Sequence, residues 1–205
     1  MKKNKIAKQK YNQAENLLYN LLNIKKEKIK NLEIEKTYET NFKEVWNAHR
    51  IDAEFFHRKF LGILDLLNYC PFNLKKLKNH VKISPERINP KESPYKKKSF
   101  KYVSIAKISE NGEIYKWDEF YGWEAPSRAR VLIKKNDILI PSLAGTFNKI
   151  ALIPEDLDNH LATTGCFNVR AKKDNPEFLF LLFRNPIFKS QLEQQTTGAI
   201  MSAIP

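Results

Sequence analysis

The apolar residues of this 205-residue chain change their period at Phe100, and that change limits the fold more than any other feature. Upstream they recur at three- and four-residue steps, the spacing of one helix face. Tyr11, Ala14, Leu17, Leu18, Leu21 and Leu22 mark a helix expected over 6–24, which docks either on its own domain or on a partner helix. Phe55, Phe56, Phe60, Ile63, Leu64 and Leu67 mark a second over 52–68, ended at Cys70-Pro71 because a residue before proline is steered away from helical angles. Between them, 25–48 is charged, with Leu32, Ile34, Phe42, Val45 and Trp46 as its apolar punctuation. Residues 83–99, with Pro85, Pro90 and Pro94, read as a linker. Downstream the texture is that of short strands. Tyr102 to Ile108 alternates, and the turn dipeptide Asn111-Gly112 leads to Glu113-Ile114-Tyr115. Further strands are expected at 129–133, 137–141, 149–153 and 166–170, and Pro176 and Pro186 open helices over about 177–184 and 186–195.

Composition excludes several classes. Hydrophobic residues make up 42% and charged residues 29%, a globular balance. No apolar run approaches the roughly 20 residues of a membrane span. The Lys-rich start leads into no apolar signal core, so a cytoplasmic location is expected. Cys70 and Cys166 share no ligand spacing and read as small buried thiols. His49, His57, His80 and His160 are scattered, so neither a metal nor a cofactor is expected. The six glycines form no phosphate-cradling loop and no dinucleotide fingerprint. Asn89-Pro90, Asn175-Pro176 and Asn185-Pro186 lack the second proline and aromatic of an adenine-methylating signature, and read as turn chemistry. Glu155-Asp156 and Asp158 are followed by no Asp/Glu-x-Lys strand, which makes them a solvated turn rather than a nuclease metal site. Enzymatic activity is not expected.

The formal net charge is +13, from 29 Lys and 7 Arg against 23 acids, alongside 19 Asn. A composition so rich in Lys and Asn also arises from an AT-rich genome, so the distribution of charge says more than its sum. Residues 1–100 carry net +12 and residues 101–205 net +1. The stretch 71–101 holds ten basic residues against Glu86 and Glu92, the pattern either of a polyanion contact or of a solvated loop.

Several short motifs, in order, resemble the specificity subunits of type I restriction–modification systems and the similar recognition domains of fused type II enzymes. Arg50-Ile51-Asp52-Ala53-Glu54-Phe55-Phe56 resembles the entry into such a domain, and Tyr102 to Ile108 its first core strand. Pro126-Ser127-Arg128-Ala129-Arg130 and Lys135-Asn136-Asp137-Ile138-Leu139 resemble the Pro-Ser-Arg-Ala-Arg and Gly-Asp-Ile-Leu elements, with Asn136 in place of the usual Gly. Thr164-Gly165-Cys166-Phe167-Asn168-Val169 resembles the Ser/Thr-Gly-Phe-x-Val region, with Cys166 as an extra residue. Phe178-Leu179 to Arg184-Asn185, and Thr197-Gly198-Ala199-Ile200-Met201, resemble the helix and loop that follow.

The resemblance implies an α/β (α+β) domain with a strongly bent mixed sheet, flanking short helices and an N-terminal helical lead-in. It divides the chain into a partner-contacting lead-in, 1–49, and a target-recognition domain, 50–205. Such domains read double-stranded DNA and direct an adenine methyltransferase subunit, and through it an endonuclease subunit, to the target. A full subunit holds two of them. One domain here, and an apolar end at 198–205 that wants a packing partner, imply a half subunit, a truncated product or an excised domain. Half subunits can pair through their helices into a two-fold homodimer. Two rival classes are a protein–protein scaffold whose basic block only solubilises it, and a nuclease subunit.

Phosphate contacts need Lys, Arg and small donors, and base readout favours Arg for guanine and Asn or Gln for adenine. Lys96, Lys97, Lys98 and Lys101 form a candidate phosphate clamp, or a plain linker. The loop 142–149 offers Thr146, Asn148 and Lys149, with Gly145 permitting a close backbone approach. Arg128 and Arg130 alternate about Ala129 and either brace the sheet or touch DNA. Lys172 and Lys173 sit on a hairpin-like turn suited to phosphates. Trp117, Phe120, Tyr121 and Trp123 form an aromatic cluster, read as core or lid, with stacking by Trp117 or Trp123 as the sharper option.

Overall fold

The computed structural model describes residues 2–32, 37, 39–197, 203 and 204. Ile34 and the 198–201 part of the Thr197–Met201 motif, with most of the apolar end, lie outside the described residues. The chain divides into two compact units, Met1–Lys75 with Asn185–Gln195, and Lys76–Arg184 with Thr196–Pro205. The boundary at residue 49 follows the motifs and does not coincide with this division.

The first unit is helical: α1 (Lys2–Leu21), α2 (Lys26–Asn31), α3 (Phe42–Ala48), α4 (Arg58–Asn68) and α6 (Pro186–Gln194). Its core gathers Tyr19, Ile24, Ile29, Ile63 and Ile187, with Leu22, Leu32, Leu66 and Leu67 around them. The apolar stripe expected on α1 is only partly used. Tyr19 is buried, while Leu17 and Leu21 stay exposed because the packed face is turned toward Tyr19 and Leu22. The Arg50–Phe56 motif is a local staple. The Arg50 guanidinium forks onto Asp52 at 2.8 and 2.9 Å and lies 4.5 Å over the Phe55 ring. Asp52 in turn accepts the Phe55 N–H and caps a single 3-10 turn, Ala53–Phe56. The helix expected over 52–68 is therefore broken at His57, which caps α4.

Among the described residues the second unit holds eight strands: β1 (Val81–Ile83), β2 (Ser99–Val103), β3 (Asp118–Tyr121), β4 (Ala129–Ile133), β5 (Ile138–Pro141), β6 (Ala151–Leu152), β7 (His160–Thr163) and β8 (Cys166–Ala171), followed by α5 (Pro176–Phe183). The α+β class holds, with the sheet content divided between two four-stranded sheets. One is antiparallel, in the order β1-β8-β5-β6. The other, β3-β2-β7-β4, is mixed, because β2 and β7 run parallel. Both sheets contribute to one core: Val103, Val131, Ile133 and Ala162 from the mixed sheet meet Leu139, Ala151 and Cys166 from the antiparallel one. Burial pushes the Cys166 thiol up to about 12, so it is a core residue rather than a reactive one.

Several strand boundaries differ from the sequence pattern. The strand expected over 102–108 ends at Val103, and Ile105–Lys107 is a 3-10 turn. Ile105 and Ile108 pack into the same core, which residues three apart achieve on a helical turn and not on a strand. Glu113–Tyr115 makes only a bridge, Ile108 to Ile114. β7 escapes a period-2 reading because Leu161, Ala162 and Thr163 are all buried between two neighbouring strands.

The Pro-containing stretch before β2 is not a linker. The Ile88 N–H donates to the Arg130 carbonyl, the Leu132 N–H to the Glu86 carbonyl, and Arg87 bridges Val131. Residues 86–88 thus cover the open edge of β4, while Ile88 and Tyr95 pack against Phe100 and Leu161.

One polar cluster ties these parts together. Asp137 has no exposed surface, and Arg170 grips it through Nε at 2.6 Å and Nη2 at 2.8 Å. Asn168 donates to the Asp137 carboxylate at 2.8 Å and to the Leu132 carbonyl at 3.2 Å, joining β8 to β4. The Lys134 N–H donates to Asp137 at 2.9 Å, closing the turn between β4 and β5. That turn places Asn136 at φ 68°, a left-handed angle that Gly takes freely and Asn tolerates. Arg170 Nη1 reaches Glu86 at 2.9 Å, so the covering segment joins the same cluster.

Removing one partner of a buried ion pair costs about 3–5 kcal/mol. Asp137→Ala should lower unfolding stability by that order, read from the urea midpoint. The Arg170 hydrogen bond also holds the Glu86 carboxyl below its ordinary value. A lowered folded-state value means that this stabilisation is complete above the unfolded carboxylate range and is lost as pH falls through the folded value. Glu86→Gln should therefore flatten the acid limb of a stability–pH curve and leave its alkaline limb unchanged.

Candidate nucleic-acid interface

The basic turn before β2 is tied to the segment after β3 by backbone hydrogen bonds. The β2–β3 ladder pairs Ser99 with Tyr121, and the pairing runs on outward: the Gly122 N–H donates to the Lys98 carbonyl at 3.0 Å and the Trp123 N–H to the Lys96 carbonyl at 3.2 Å. Lys96, Lys97 and Lys98 are exposed on this turn. Lys96 and Lys97 have no side-chain partner among the described residues, while the Lys98 ammonium sits 5.2 Å over the Phe100 ring. Gly122 makes this approach feasible. A Cβ there would stand 2.2 Å from the Pro90 carbonyl oxygen and 2.4 Å from that of Tyr95.

Lys101 is engaged differently. Its ammonium lies 4.5 Å over the Trp117 ring and donates to the Asp156 carbonyl at 3.2 Å. Trp117 itself is partly buried and packs against the core, with Lys101 over its ring. Tyr121 and Trp123 instead stack on one another at the surface. Sequence reasoning does not single out Gly122; the signal open to it is an aromatic-Gly-aromatic triplet.

The other predicted contact residues fall elsewhere in the unit. Arg130 donates from Nε to the Ser127 carbonyl at 3.1 Å, a bracing contact, while Arg128 is exposed with no side-chain partner among the described residues. Their alternation is broken by a register shift between Ala129 and Val131. Thr146 donates to the Leu143 carbonyl at 2.6 Å, and Lys149 lies 4.0 Å from Glu110. The exposed Asn148 offers its carbonyl to Arg184, which also reaches the Ile150 and Glu110 carbonyls. Gly145 adopts φ 77°, which serves the turn angle, and a Cβ there would meet nothing within 4 Å among the described residues. Lys172 donates to the Lys78 carbonyl at 2.7 Å, beside the exposed Lys173. In the acidic turn, Glu155 pairs with Lys135 at 2.7 Å and Asp158 accepts the Lys135 N–H. Among the described residues no group of His, Cys, Asp or Glu is placed to hold a metal ion, and no helix is long and apolar enough to cross a membrane.

His160 stands behind the basic turn. Its Nδ1 accepts the Lys101 backbone N–H at 3.0 Å, which requires the neutral ring with its proton on Nε2. Burial, followed by the Lys101 and Lys98 charges, lowers its pKa.

Solved structures share this architecture. The HsdS subunit from Thermoanaerobacter tengcongensis is similar at 32% identity and a TM-score of 0.57, over 66% of this chain and 36% of that one. A chain from a structure concerned with complex assembly and conformational transition of the type I R-M system is similar at 31% identity and a TM-score of 0.55, over the same shares. The structural neighbours are thus HsdS specificity subunits, as the ordered motifs implied, and this chain spans 36% of the length of each. No family model and no curated protein matches the chain.

The His160 imidazole should titrate below the ordinary histidine value in a ¹H–¹⁵N spectrum followed against pH. Lys98→Met removes one of the charges that hold it down and should move the titration upward, with the Nε2–H tautomer retained.

Proposed function

We propose that this relative of HsdS specificity subunits is a DNA target-recognition component of a type I restriction–modification system, without chemistry of its own. The observation that carries this reading is the combined likeness in fold and sequence, at 31–32% identity over 66% of the chain. The ordered motifs from Arg50 onward support it. In this reading residues 50–205 hold the recognition domain, and 1–49 contact an adenine methyltransferase subunit, through which an endonuclease subunit is directed, or a second copy of the chain. The exposed Phe42 (75%) and Trp46 (67%) on α3, with Leu17 and Leu21 on α1, support a partner-contacting role for that segment.

Within the recognition domain, the cations best placed for phosphates are those whose heads are not spent on the fold: Lys96, Lys97, Arg128 and Lys173, with Lys98 beside them. Asn148 is the exposed amide suited to a base edge. Lys101, Arg130, Thr146, Lys149 and Lys172 act by holding the loops that present these groups.

Phosphate contacts release counterions, so affinity for duplex DNA should fall linearly on a logarithmic salt axis. Charge reversal at Lys96, Lys97 and Lys98 should flatten that slope by about 0.9 for each phosphate no longer neutralised. A response flat in salt for the parent chain would sink the reading. A scaffold would keep its partner affinity in the charge-reversed variant and never bind DNA.

A further inference from the structure

Tyr121 and Trp123 stack with ring centroids 4.6 Å apart and planes 8° from parallel, yet remain 49% and 44% exposed. Rings of this size left in water forgo the gain of burial, so an open stack marks a surface that a ligand can cover. The stack is held in place by the chain around it. The Glu124 carboxylate accepts the Tyr121 N–H at 3.0 Å and fixes the 3-10 turn Gly122–Glu124. The absent Cβ of Gly122 lets that turn sit against Pro90 and Tyr95. The Trp123 and Gly122 N–H groups then bond the carbonyls of Lys96 and Lys98, which brings the turn that carries the exposed Lys96 and Lys97 beside the rings. The nearby acids are occupied: Glu124 caps the turn, and Glu92 accepts from Asn89.

An open aromatic face beside a turn that displays lysines fits a planar ring joined to phosphates. A base inside a duplex offers no such ring, because neighbours cover both of its faces. Only an unpaired or extruded base has a free face to lay on an aromatic side chain. We propose that Tyr121 and Trp123 form a stacking platform for an unpaired nucleobase, with Lys96 and Lys97 on the flanking phosphates. The proposal deepens the DNA-recognition reading above and rests on it.

The test uses the full chain and two labelled DNA duplexes of one sequence, fully paired or carrying one bulged base, with affinity read by fluorescence anisotropy. Trp123→Ala should lower affinity for the bulged duplex by about ten-fold and for the paired duplex by less than about two-fold. Trp123→Phe, which keeps a ring, should restore most of the difference. If circular dichroism shows Trp123→Ala to be unfolded, Tyr121→Ala takes its place with the same expectation. Equal losses on both duplexes, or no loss on either, overturn the platform. Parent-chain binding of paired DNA, with no effect of either ring substitution, overturns the platform and leaves the recognition reading standing. Failure of the parent chain to bind either duplex overturns both.

Discussion

A carboxylate taken out of water must be met by charge and hydrogen bonds together, or the structure around it does not form. Asp137 sets that requirement here, and the strand-bearing unit is arranged to satisfy it. Arg170 and Asn168 reach it from β8, and the Lys134 N–H reaches it from the turn between β4 and β5. The same Asn168 amide bonds a carbonyl of β4, and the same Arg170 bonds Glu86 in the covering segment. Two sheets and the strap over an open strand edge are thereby tied through one buried group. The apolar core gives the unit its bulk stability without direction; the polar cluster gives the two sheets their relative register.

Much of this is legible in the residues. The switch of period at Phe100 separates helical from strand-rich sequence, and β4, β5 and β8 lie where alternation and turn residues put them. The Asn-Pro pairs open α5 and α6, with Asn175 and Asn185 as their caps. Other parts are hidden for identifiable reasons. β7 is buried along its length and has no alternation to detect. β1 is only three residues long, and only Val81 of them is buried. The proline-rich stretch looks like a linker because its pairing with β4 runs through backbone groups, which leave no mark on side-chain composition, and its side-chain attachments at Glu86, Ile88 and Tyr95 follow no period. In the candidate site, the lysine run is visible and its setting is not. Nothing in a one-dimensional pattern brings Lys96 beside Trp123, since the contact follows from pairing of β2 with β3 and from a missing Cβ at Gly122.

The distinction between cations that build and cations that remain available bears on how a basic protein is read. Lys101, Arg130 and Lys172 direct their charges at a ring or at carbonyls, and such groups stiffen loops. Lys96, Lys97 and Lys173 extend from those loops without partners among the described residues. A solvated ammonium loses little by exchanging water for phosphate, whereas a committed one must first break its own contact. Net charge counts both alike. The available subset is the one free to take a new partner, and the turn that bears Lys96 and Lys97 is held by its own carbonyls.

The attachment of the lysine turn has one more consequence. Its bonds to Gly122 and Trp123 use the carbonyls of Lys96 and Lys98, and main-chain carbonyls are the same whatever side chains they carry. The attachment is thus indifferent to the side chains at 96 and 97, which can be exchanged without asking anything of the strands beneath, whereas Lys98 also reaches the Phe100 ring. A turn built in this way separates shape from charge: the side chains displayed at 96 and 97 can vary while the backbone beneath them keeps its path.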